Sequence, residues 1–215
     1  MRTRSATRPP GRPKQSDNMA TSDNVLRVAA HHFMDGGYEA VSIESIADAV
    51  GVTKASIYYY FPNKADLFVS AIESLLMIIL RESRRILDGP QPFETRLLIL
   101  TEVRLRVAET RFDFDRIIRE AEPHLNADQN DRLRSAMDNM AHLVVGTFER
   151  AMDAGEIRTA DARFAAHAYF ALLNVAFARD RQGERLFPDA RSTAEALVRL
   201  MMSGLMSPEL PGDDA

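Results

Sequence analysis

The chain has no cysteine, which removes disulfides, thiolate metal sites and cysteine nucleophiles together. That fits a reducing cytoplasm. Long apolar runs are missing too. The longest, Leu75 to Leu80, falls far short of the roughly 20 residues that span a bilayer, so no membrane segment is expected. The opening stretch MRTRSATRPPGRPKQSD is charged and proline-rich with no apolar run behind it, so a secretory signal is not expected either. No stretch alternates in the β-branched manner of a strand, and no internal repeat stands out. Enzyme signatures are absent: there is no HExxH, no glycine-rich phosphate loop and no G-x-S-x-G elbow. The reading is therefore of a non-enzyme with no catalytic residue and no cofactor. Metal sites fare no better. His31 and His32 are adjacent and point in different directions. Glu120 and His124 have a chelating spacing, but Pro123 between them breaks the helix that would be needed. They read as helix-end polar groups.

What is present is enough for a substantial core. Hydrophobic residues make up 46% of 215 residues, sufficient for one domain or two small ones. Net charge is −4, and it is unevenly spread. Residues 1–64 carry eight Lys/Arg against six Asp/Glu, a net +2, which leaves −6 to the rest. A basic front and an acidic body suggest two tasks.

The most informative segment is Ser42 to Phe61, SIESIADAVGVTKASIYYYF. Ile43, Ile46, Ala47 and Val50 repeat at the spacing of one helix face. Gly51 ends that helix, and Thr53 is a good N-cap for a second. Small Ala47 and apolar Ile57 flank the turn, so two short helices can cross closely, as a helix-turn-helix requires. The second helix would expose Lys54, Ser56, Tyr58 and Tyr59, with no acidic residue among them.

Elsewhere the pattern is helical throughout. Residues 1–20 are rich in Arg, Pro, Ser and Thr and read as a disordered basic arm. Its Gly11-Arg12-Pro13 resembles the core of a minor-groove hook, and a solvated tail or a DNA-grazing arm both fit. A first helix is expected from Ser22 to Gly36, with Leu26, Ala29, Ala30 and Phe33 on one face and Ser22 or Asp23 as cap. A long helix is expected from Lys64 to about Asp88, a rod of roughly 37 Å. Later helices are expected over Pro92–Ala108, Phe112–Ala121, Ala127–Ala154, Asp161–Arg179 and Asp189–Met206. The sum is an all-α chain: an N-terminal trihelical helix-turn-helix DNA-binding domain over 21–66 and a C-terminal helical bundle over 67–215.

Residues 22–70 closely resemble the DNA-binding domain of the tetracycline-repressor (TetR) family of bacterial regulators. The matching residues are Ala29-Ala30, Phe33, Gly37-Tyr38, Ser42, Ile46-Ala47, Gly51-Val52, Ile57-Tyr58, Tyr60-Phe61-Pro62, Lys64 and Leu67. The resemblance implies a homodimeric transcriptional regulator, usually a repressor, released from a double-stranded DNA operator by a small molecule. It places Lys54, Ala55 and Ser56 against base edges in the major groove, where an amine, a methyl and a hydroxyl each have partners. Thr53 opens that helix. It places Tyr58 and Tyr59 on phosphates, Tyr60 between core and contact, and Lys64 on a phosphate at the start of the long helix. Ser42 and Ser45 face the DNA backbone from the preceding helix. Glu44 departs from what the groove would favour.

Beyond residue 80 or so no family motif can be quoted. Phe164, Ala168, Ala171 and Val175 share one face of a late helix, and Leu197, Leu200, Met201 and Met206 lie near the end. These helices either complete the bundle core or form a four-helix interface with a second copy. Met77, Arg104, His142, His167, Phe170, Asn174 and Phe177 are candidates to line a mostly apolar effector pocket with few polar anchors. A rival reading is a small-molecule binding protein whose trihelical unit no longer reads DNA.

Overall fold

A computed structural model of the chain describes residues 15–108, 114–176, 178, 180–184 and 186–205. The described residues form nine α-helices and one 3-10 turn. They are α1 (Gln15–Gly36), α2 (Ile43–Val50), α3 (Lys54–Tyr60), α4 (Lys64–Leu87), α5 (Phe93–Ala108), α6 (Phe114–Ala121), the turn Glu122–His124, α7 (Ala127–Asp153), α8 (Ala162–Val175) and α9 (Ala190–Leu205). Among the described residues no helix is long and apolar enough to cross a membrane.

The helix starts are set by side chains that satisfy the open N–H groups of a first turn. Ser42 and Ser45 cap α2 reciprocally, Thr53 accepts from Ser56 N, and Asn63 accepts from Asp66 N. Asn126 and Gln129 form a second reciprocal box at α7, and Asp161 caps α8.

Two boundaries differ from expectation. Helix α1 starts at Gln15, seven residues before Ser22, so residues 15–20 of the expected arm are helical. The rest of that arm, with Gly11-Arg12-Pro13, lies outside the described residues. Helix α8 ends at Val175 rather than Arg179. Local turn chemistry competes there with the helix. Asp180 Oδ1 accepts from Gln182 N and Glu184 N, each at 2.9 Å. Leu186 N then returns to Ala178 O at 3.0 Å.

The chain buries two apolar clusters. The first is built on Phe33, Ile46, Ile57, Leu67, Phe68 and Ile72 from α1 to α4. It also takes in Ile117 and Ala121 of α6, Leu125, and Leu133 of α7. This core therefore runs across the expected division at residue 66. The second cluster fills the bundle of α5, α7, α8 and α9 around Phe93, Leu100, Phe148, Tyr169 and Val198. Helix α4 joins the two, packing on α1, α5 and α7, with α7 alongside it from the Gln129–Asp66 bond at its start to the Arg150–Asp88 bond at its end. Its 24 residues make a rod of roughly 36 Å.

Candidate nucleic-acid interface

The crossing of α2 and α3 depends on one left-handed residue. Gly51 has φ 77°, and its N–H and that of Val52 both donate to Ala47 O, at 2.9 and 3.0 Å. The chain reverses within two residues and presses Ala47 and Ile57 into the core. Burial of Ile43, Ile46, Ala47, Ile57 and Phe61 leaves the opposite side of α3 in solvent. Thr53, Lys54 and Ala55 are exposed there and Ser56 is half-exposed. Tyr59 is 78% exposed and Tyr58 44%. Tyr60 is half-buried, edge-on to Tyr59 at 5.0 Å and packed at the margin of the first core. The face offers hydroxyls, one amine, one methyl and two phenols, with no carboxylate on α3.

The hydroxyl bookkeeping separates the serines. Ser45 Oγ donates to Ser42 O at 2.7 Å, which commits its proton to the cap. Ser42 Oγ only accepts, from Ser45 N at 3.0 Å, and keeps its proton for an outside acceptor. Thr53 Oγ1 and Ser56 Oγ lie 2.8 Å apart and share one proton, so one of the pair remains a free donor. Glu44 lies in the first turn of α2, where a carboxylate is favoured by the helix dipole. Its presence has a structural explanation.

Lys64 is held differently from the simple phosphate anchor of the resemblance. Its Nζ donates to Glu39 O at 3.2 Å and stands 4.5 Å from the centre of the Tyr38 ring. Partial burial lowers its pKa, and Glu39 opposes that shift. On the other side, Tyr38 stacks on His124 at 5.2 Å and meets Phe68 edge-on at 5.1 Å. Burial raises the Tyr38 pKa, with Glu39 adding to it. His124 Nε2 lies 2.5 Å from Glu39 Oε1. Tyr38 N donates to Glu120 Oε2 at 3.2 Å, and Glu120 pairs with Arg116. This junction ties the loop after α1 to α6 and the 3-10 turn. Sequence reasoning placed Glu120 and His124 at a helix end but missed their partners, since the Tyr38 and Glu39 contacts span some eighty residues.

The six effector-pocket candidates among the described residues are not brought together. Met77 is 59% exposed on α4. His142 is exposed, with Nδ1–H donating to Asp138 O of its own helix at 2.8 Å. His167 is exposed likewise, bonded to Arg163 O at 2.7 Å. Asn174 is exposed and Phe170 half-buried, while the side chain of Phe177 lies outside the described residues. The reason is the choice of buried face. Helix α8 turns Ala165, Ala166, Tyr169 and Leu173 inward, which puts His167 and Asn174 outward beside Phe164. Phe170 packs at the margin of the bundle core, and Arg104 reaches polar groups inside it. Its Nη2 reaches Ser83 Oγ at 3.4 Å and Met140 Sδ at 2.8 Å. The seam between α8 and α9, lined by Tyr169, Leu172, Leu173, Leu197 and Val198, is packed closed. Among the described residues no cluster of three or more His, Asp or Glu side chains is placed to hold a metal.

The outer faces of α8 and α9 carry large apolar residues among polar ones such as His167, Asn174 and Arg199. Phe164 is 74% exposed and Leu200 62%, and Ala171 and Val175 are also open. Leu197 is half-buried and Met201 is in the core. Met206 lies outside the described residues.

Residues 25–71 match the family model described as bacterial regulatory proteins, tetR family. The nucleoid occlusion factor SlmA of Vibrio vulnificus (strain YJ016) is 27% identical over 119 residues, 55% of this chain and 59% of that protein. The chain thus spans about six-tenths of the length of that curated relative. A crystal structure of a TetR-family transcriptional regulator from Mesorhizobium loti MAFF303099 superposes with a TM-score of 0.69 at 20% identity, covering 88% of this chain and 98% of that one. The crystal structure of AibR, in complex with isovaleryl coenzyme A and operator DNA, gives a TM-score of 0.62 at 23% identity and covers 85% and 98%.

Proposed function

We propose that the chain, whose residues 25–71 match the tetR family model, is a DNA-binding regulator of transcription that binds a palindromic operator as a homodimer and is released by a small molecule. The observation that carries the reading is the outer face of α3. Lys54, Ala55, one donor of the Thr53–Ser56 pair, Tyr58 and Tyr59 form a carboxylate-free surface on a rigid helix. In this reading Lys54, Ala55 and Ser56 meet base edges, because an amine, a methyl and a hydroxyl each find partners in the major groove. Ser42, Tyr58 and Tyr59 donate to phosphates. Ser45 and Thr53 hold the two helix starts that present these groups, and Tyr60 props Tyr59 at the rim. Lys64 leaves Glu39 O to take a phosphate when DNA arrives.

The dimer reading rests on α8 and α9. Their exposed Phe164, Ala171, Val175 and Leu200 form a surface that a second copy would cover, giving a four-helix contact with twofold symmetry. His167 and Asn174 then belong to the rim of that contact. The division of labour is residues 21–66 for DNA and 67–215 for dimerisation and effector, with α4 common to both.

Two half-sites bind together only when the spacing of the two α3 helices matches the groove repeat. Helix α4 starts beside α3 and ends beside the bundle, so a shift in the bundle tilts the reading heads. The Tyr38, Glu39 and His124 junction, clasped by α6, gives a second mechanical link. The closed α8–α9 seam means that effector binds an opened arrangement of the bundle. Its effect is limited by its differential affinity for the two arrangements. The rival reading, a binding protein with a vestigial DNA unit, leaves the complete caps of α2 and α3 and the exposed tyrosines without a role. Selection from a pool of random duplexes with the purified protein tests the proposal. An enriched inverted repeat is expected; a pool that stays random rejects DNA reading.

A further inference from the structure

Arg104 is out of place electrostatically. It extends from α5 between α4, α7 and α8, and both of its hydrogen bonds come from Nη2, one to a hydroxyl and one to a thioether. Nε exposes less than 1 Å² and has no hydrogen-bond partner. Among the described residues no carboxylate pairs with it. A guanidinium does not shed its proton in a protein, and although Arg104 keeps part of its surface in solvent, holding its Nε out of water without a counter-ion is unfavourable. Burial indeed drives its pKa down, and the Tyr169 phenol is what opposes that shift. Arg96, on the same helix, also leaves its Nε without a partner, but it has a counter-ion: it donates to Glu156 Oε1 and Leu87 O, each at 2.7 Å.

The surroundings narrow what is missing. Thr101 Oγ1 gives its proton to Leu97 O at 2.7 Å, so the Tyr169 hydroxyl donates to Thr101 at 3.2 Å. Ser83, Thr101 and Tyr169 are all buried, making a small hydroxyl patch inside an otherwise aliphatic bundle. Nε–H and an Nη2–H point the same way, a fork that matches two carboxylate oxygens side by side. The Met140 thioether that now lies on Nη2 is flexible and displaceable. From Tyr169 the apolar α8–α9 seam leads away through Leu173 and Val198.

We propose that Arg104 is the anion anchor of the effector site, and that the effector is a carboxylate carried on an apolar chain. The Nε–Nη2 edge takes the carboxylate in place of Met140 Sδ, with the Ser83 hydroxyl beside it. The chain enters the α8–α9 seam as the helices part. The inference rests on the reading of the bundle as the effector domain and adds the chemical class of what it holds.

Calorimetric titration of the full-length protein with hexanoate, decanoate and tetradecanoate, each against its neutral alcohol, tests the anchor. At least one carboxylate is expected to bind about 10- to 100-fold more tightly than its alcohol, the range for charge-assisted hydrogen bonds. Arg104→Met should abolish that preference, leave alcohol binding unchanged, and melt without ligand at or above the wild-type temperature, because no ion pair is lost. Arg104→Lys should keep part of the preference. Carboxylates that bind no better than alcohols, or a preference that survives Arg104→Met, overturn the inference. An unliganded Arg104→Met protein that melts well below wild type does so too, by making the arginine a structural element. Decanoyl-coenzyme A, whose thioester lacks the carboxylate, forms a further arm, and tight binding of it alone refutes the carboxylate. Operator binding measured on the same preparations keeps the two proposals apart. Intact DNA selection with no Arg104-dependent preference removes only the anchor, whereas failure to select DNA removes the regulatory reading whatever the titration gives.

Discussion

Replacing Phe164 by glutamate should convert the proposed dimer into a monomer without unfolding it. The ring is 74% exposed in the protomer, so the fold does not depend on it. A buried phenylalanine covers about 200 Å². About 150 Å² of it is therefore available to a partner, worth up to about 3.7 kcal/mol at about 25 cal/mol per Å². Twofold symmetry counts the residue twice, giving about 7 kcal/mol for full coverage and about half that for half coverage. The dimer constant should weaken by roughly 10³- to 10⁵-fold, before any repulsion between the new carboxylates. Sedimentation equilibrium across a dilution series measures the shift, and circular dichroism should show unchanged helix content. Operator affinity should fall with the dimer, since a lone protomer engages one half-site. A Phe164→Glu protein that stays dimeric at wild-type concentrations would refute the assignment of α8 and α9 as the interface.

The reading head supports further predictions. Lys54→Ala should relax sequence preference, whereas Lys64→Ala should weaken all duplexes alike and reduce the salt slope by about one unit; salt-dependent titrations on matched and mismatched duplexes separate the two. Gly51→Ala meets open space but keeps φ 77°, so its cost is conformational, about 1–2 kcal/mol, read as a lower melting temperature. Ile57→Ala removes a fully buried side chain and should cost about 2–5 kcal/mol of stability, with operator affinity lost through α3 rather than through any contact with DNA.

The N-terminal unit was legible because its signals are local. Gly51, Thr53 and the apolar spacing of α2 act within a few residues, and they set the turn directly. The bounds of α7 and the start of α9 were legible for the same reason, from the turn residues Pro123, Gly155 and Pro188 beside them. The pocket candidates fared worse because choosing them needed the buried face of α8 and α7. That face is decided by which helices arrive against them, and the spacing around His167 or His142 does not contain it. The junction of Tyr38, Glu39 and His124 was illegible because its partners are far apart in the chain. The isolation of Arg104 was hidden likewise, since a missing counter-charge is a property of four packed helices. Helix α1 began early because the polar stretch before Ser22 reads as tail by composition yet continues a helix that Val25, Ala29 and Phe33 anchor.

In the proposed mechanism two copies of α3 read paired half-sites. The direct measurement compares affinity for a selected inverted repeat with affinity for the same duplex after one half-site is scrambled. A loss of about 10³-fold or more is expected, the lower end of the usual gap between specific and non-specific DNA binding, and Lys54→Ala should narrow that gap. Equal affinity for the intact and the half-scrambled duplex would rule out paired reading by two α3 helices.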